Sequence, residues 1–155
     1  MKDQMQIKDV KSFIDNINVP TLAPLPKRGW WVVVEDWNKY GHTVPTGFTT
    51  DLDSVPKVPY IYAAIKGRSV WAALLHDYLY ASRRVTRKEA DDLFKRGMLE
   101  EGVPGWAATS MYYAVRAMGW MYYKKIAKKG SPDGKVEVGV KGRLLDNHRE
   151  AMMQE

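Results

Sequence analysis

The spacing of apolar and polar residues changes character several times along the chain, and each change marks an element. Ile7, Val10, Phe13, Ile14 and Ile17 fall at helical spacing, which predicts a short amphipathic helix over residues 7–17. Pro20 to Pro26 holds three prolines and reads as extended or looped. Trp30 to Trp37 is dense in β-branched and aromatic residues, the signature of a strand. Asn38 to Gly41 reads as a turn and His42 to Thr50 as the partner strand, with Pro45 at an edge or bulge. A β-hairpin over about 30–50 follows. Residues 51–68 form an irregular connection punctuated by Pro56 and Pro59.

From Val70 to Tyr80 nearly every position is apolar, as in a helix buried on all sides. Thr86-Arg87-Lys88-Glu89 is a capping box that opens a second helix running to about Glu101 and stopping at Gly102. A third helix follows Pro104 and runs to about Lys129. Lys124, Lys125, Lys128 and Lys129 complement its dipole and Gly130 ends it. Lys135 to Val140 alternates as a short strand does, and residues 141–155 are polar. The expected fold is α+β: a small antiparallel sheet, made of the hairpin and a third strand at 135–140, packed with three main helices. Residues 1–26 form an N-terminal arm, 27–140 one globular domain and 141–155 a C-terminal tail.

Composition narrows the function classes. The 155 residues include no cysteine, which excludes disulfide frameworks, thiol catalysis and Cys-ligated zinc. Six Trp, nine Tyr and eight Met point to a large aromatic core or an adhesive surface. The net charge of +6 admits anionic partners without requiring them. No nucleic-acid motif is present, so nucleic acid is not an expected partner. The polar start, Met1 to Gln6, has no apolar targeting segment. Trp106, Tyr113 and Trp120 are seven residues apart, a stripe that suits a core or a partner interface. Aromatic residues followed by lysines also suit an anionic membrane surface.

The chemistry centres on His76-Asp77 inside the most apolar helix. A buried carboxylate is costly unless it is paired, hydrogen-bonded or metal-bound. His76 and Tyr80 share a helical face, whereas Asp77 points about 100° away, so two sets of partners are required. On the next helix Asp91 lies on the stripe Arg87, Asp91, Phe94, Met98 and should face inward. Asp92 sits beside Lys88 and Arg96 and should face solvent. Asp91 would then reach His76 or Tyr80. Two readings stand side by side. A carboxylate holding a histidine orients a general base, with Asp77 and Asp51 as candidate oxygen ligands for calcium. The same His-Asp-Tyr group can instead simply lock two helices together.

Four segments carry a family resemblance. Gly47-Phe48-Thr49-Thr50-Asp51-Leu52-Asp53-Ser54-Val55-Pro56, Leu75-His76-Asp77-Tyr78-Leu79-Tyr80, Ala90-Asp91-Asp92-Leu93-Phe94 and Met111 to Gly119 resemble, in order, the motifs of the phage and prophage family called domain of unknown function 1353. Asp53 stands where that family usually has Ala. A second, local resemblance joins HD-x-x-Y to the aspartate of the following helix, as in phospholipase A(2). It implies His76 as base, Asp91 as its orienter, Tyr80 as support and Asp77 as calcium ligand, although the glycine-rich calcium loop of those enzymes has no counterpart here. The family resemblance implies a phage or prophage origin; together with the excess of Trp, Tyr and Met, it leads to the expectation of a virion-associated or assembly protein that engages other phage proteins. The alternative is a calcium-dependent lipid esterase acting at a membrane in phage entry or release. The implied location is the host cytoplasm during infection, or the virion.

Overall fold

A computed structural model of the protein describes residues 18–52 and 55–127, together with Ser12 and Asn16. The fold is α+β. Among the described residues it comprises β1 (Leu22–Pro24), β2 (Trp31–Val33), β3 (Trp37–Lys39), β4 (His42–Val44), β5 (Thr49–Thr50), α1 (Ile61–Ile65), α2 (Val70–Ser82), α3 (Arg87–Glu100) and α4 (Gly105–Ala127). The strand expected at 135–140 and the polar tail lie outside the described residues, as does most of the helix expected at 7–17.

The single hairpin expected over 30–50 is two separate pairings. β3 and β4 form a short hairpin with Trp37 opposite Val44. Its loop is Tyr40-Gly41, with φ of 53° and 77°, and two left-handed residues in succession match the twist of a two-residue hairpin. β2 belongs instead to a three-stranded antiparallel sheet in the order β1-β2-β5. The break falls at Val34 to Asp36. Val34, half exposed, donates its N–H to the Thr21 carbonyl, and Asp36 Oδ1 accepts from the N–H and hydroxyl of Thr46 at 2.7 and 2.8 Å. These local bonds turn the chain so that Trp37, 4% exposed, can enter the core. β1 forms in the proline-rich stretch; as an edge strand it tolerates Pro24 at its end.

The irregular connection contains one short helix, α1, which buries Ile65 and packs against α4. α2 buries Trp71 to His76 and Tyr78 to Tyr80, as an all-round apolar helix must. No side chain of its own caps its start. Glu101, just past α3, supplies the cap, accepting the N–H groups of Trp71 and Ala72 at 3.1 and 3.0 Å. α3 begins at the expected capping box, with both the Thr86 and Glu89 bonds formed. The hairpin docks through aromatic contacts, with Trp37 and Trp71 rings 5.9 Å apart and the Lys39 ammonium 4.4 Å over Trp71.

Burial pushes the Glu101 carboxyl up to about 7, against the lowering effect of the backbone N–H groups of Ala72, Trp71 and Val70. The folded value lies above the unfolded one. The folded state therefore holds the proton more tightly, and this contribution to stability is lost as pH rises from about 4.5 through 7. Glu101→Gln should remove that dependence. Unfolding temperatures of the two proteins at pH 5 and pH 8 check it, and a difference that does not change with pH would refute it.

Candidate functional site

The site lies where α2, α3 and α4 meet. The spacing of α2 places His76 and Tyr80 one turn apart on the face toward α3, and the short connection through Arg83 returns the chain antiparallel. Asp91 turns inward from α3 and is 0% exposed, and His76 is 1% exposed. Asp92 faces outward and pairs with Lys88 at 2.7 Å. His76 Nε2 lies 2.8 Å from Asp91 Oδ1, and the Tyr80 hydroxyl donates to the same oxygen at 2.5 Å. The predicted group His76, Tyr80 and Asp91 is thus assembled, with Asp91 reaching both partners.

Two arginines complete it. Arg116 Nη1 on α4 donates to Asp91 Oδ2 at 2.9 Å, and Arg87 Nη1 lies 3.7 Å from the same oxygen. Arg87 also donates to the Val115 and Arg116 carbonyls at 3.2 and 3.0 Å. Both were missed as partners of Asp91, although the sequence carries signals for them. Arg87 is four residues before Asp91 on its stripe, and Arg116 is the only charged residue between Gly105 and Tyr123. Gly119 makes room for the network, since a Cβ there would sit 2.7 Å from the Tyr80 hydroxyl oxygen.

Burial pushes the Asp91 carboxyl up, but hydrogen bonds from His76, Tyr80 and Arg116 outweigh it and hold the group below the usual carboxylate range. Burial, followed by the bond to Asp91, pushes the Tyr80 hydroxyl well up. An ionised Asp91 accepts from Nε2, which leaves Nδ1 of His76 with its lone pair. That atom is buried and has no hydrogen-bond partner. The ring packs against Tyr80 and Phe94, with centroids 4.1 and 4.6 Å away. Two guanidinium groups already share the charge of one carboxylate.

Asp77 faces elsewhere, as the helix geometry requires. Its Oδ2 accepts from the Thr50 hydroxyl at 2.5 Å, and Thr50 Oγ1 in turn accepts the Leu52 N–H at 2.9 Å. Thr50 is 3% exposed, and Phe48 meets Tyr78 edge-on at 5.4 Å. The segment from Phe48 to Leu52 therefore lies across α2, with Asp51 next to the residue that holds Asp77. Asp53 and Ser54 lie outside the described residues. Among the described residues no group of three or more His, Asp or Glu side chains is assembled to hold a metal ion. Calcium takes about six to eight oxygen ligands, backbone carbonyls and waters among them; of the two carboxylates that the resemblance and the sequence suggest, Asp77 is engaged by Thr50.

A family model described as "Protein of unknown function (DUF1353)" matches residues 22–115. An uncharacterized protein of Sinorhizobium fredii, y4jT, is 32% identical over 99 residues, which is 61% of this chain and 30% of that protein. The chain thus spans less than a third of the length of the curated relative it matches. No solved structure matches it. The matched segment holds the sheet, His76, Asp77, Tyr80 and Asp91 but stops one residue short of Arg116.

Proposed function

Because the chain belongs to this family of proteins of unknown function, DUF1353, we propose that it is a phage- or prophage-encoded interaction module, a virion-associated or assembly component working through the outer face of α4. The observation that carries this reading is the row of exposed aromatic residues on that helix. Trp106, Tyr113 and Trp120 are 59%, 65% and 49% exposed. A helix face left to solvent normally carries charge; here the one charged residue from Gly105 to Tyr123, Arg116, is committed to Asp91. An apolar face of this kind marks an interaction site. On this reading the buried His76–Asp91 network is the lock that fixes α4 against α2 and α3. The motif resemblance supports a phage origin. The test is the composition of purified phage particles from producing cells. The protein should travel with them, and Trp106→Ala with Tyr113→Ala should reduce its share. Recovery only as free protein would sink the proposal.

One observation favours a second reading, a calcium-dependent lipid esterase resembling phospholipase A(2). His76 is held at Nε2 by a carboxylate while Nδ1 has no partner, the arrangement of an oriented base. Release of fatty acid from phospholipid vesicles, with and without calcium, compares the wild type with His76→Ala. Equal rates would remove this reading.

A further inference from the structure

We draw no further inference here: the strongest candidate, the apolar outer face of α4 with Trp106, Tyr113 and Trp120 exposed along it, is the surface already described, and nothing among the described residues shows what covers it.

Discussion

Asp91→Ala is expected to cost about 3–5 kcal/mol, a large share of the stability of a domain this size. The substitution removes the shared acceptor of His76, Tyr80 and Arg116. It also leaves the positive charge of Arg116 and Arg87 facing a buried site with no carboxylate. Breaking a buried pair from one side is expensive because the surviving partners keep their desolvation cost without compensation. Asp91→Asn keeps an acceptor oxygen and removes the charge, so it should lose less and remain folded for measurement. Denaturant unfolding of the three proteins gives the differences. A change below about 1 kcal/mol for the alanine variant would mean that the network contributes little to holding the helices. The pH dependence has a definite sign. The folded-state value of Asp91 is depressed, so its contribution is full above the unfolded value near 3.9 and is lost as pH falls through the folded value. Acid should therefore unfold the wild type below about pH 4, and Asp91→Asn should flatten that limb.

Gly97→Ala should cost about 1–3 kcal/mol or more, although it adds a single methyl group on an α-helix, where alanine is intrinsically preferred. A Cβ at Gly97 would lie 2.8 Å from the Ala72 Cβ and 2.9 Å from the Trp71 ring. Neither neighbour can swing away. Ala72 is part of the α2 backbone contact, and Trp71 is 7% exposed beneath Lys39 and Trp37. The helices would have to separate, which would loosen the contact that brings Asp91 to His76. Ala72→Gly alone should destabilise modestly. Combined with Gly97→Ala it should recover part of the loss, giving a coupling of about 1 kcal/mol in a double-mutant cycle. Strictly additive effects would show that the two helices do not meet at this point.

The helices and the inward turn of Asp91 were legible because their determinants are local. The apolar run from Val70 to Tyr80, the Thr86–Glu89 box and the opposite facing of Asp91 and Asp92 follow from spacing on a single helix. The division of the hairpin was not, because it depends on side chains meeting across the chain: Asp36 with Thr46, and the burial of Trp37 against Trp71. The run of β-branched and aromatic residues from Trp30 to Trp37 is consistent with one strand or two, and only tertiary packing decides between them. The site shows the same division. His76, Tyr80 and Asp91 could be grouped from two adjacent helices. Arg116 arrives 25 residues after Asp91 in sequence, and its pairing depends on how α4 crosses the other two. Thr50 lies 27 residues before Asp77, in a segment whose course over α2 no periodicity describes.

The Glu101 cap has a consequence for how the molecule opens. The first amides of a helix ordinarily exchange with solvent through fraying, because nothing within the helix holds them. Here the amides of Trp71 and Ala72 are bonded to a carboxylate about thirty residues downstream, so releasing them requires the end of α3 to move as well. The α2–α3 pair is closed at both ends, by the tight connection after Ser82 and by Glu101. Those amides should therefore exchange only with the larger opening of the whole helical hairpin, as one cooperative unit.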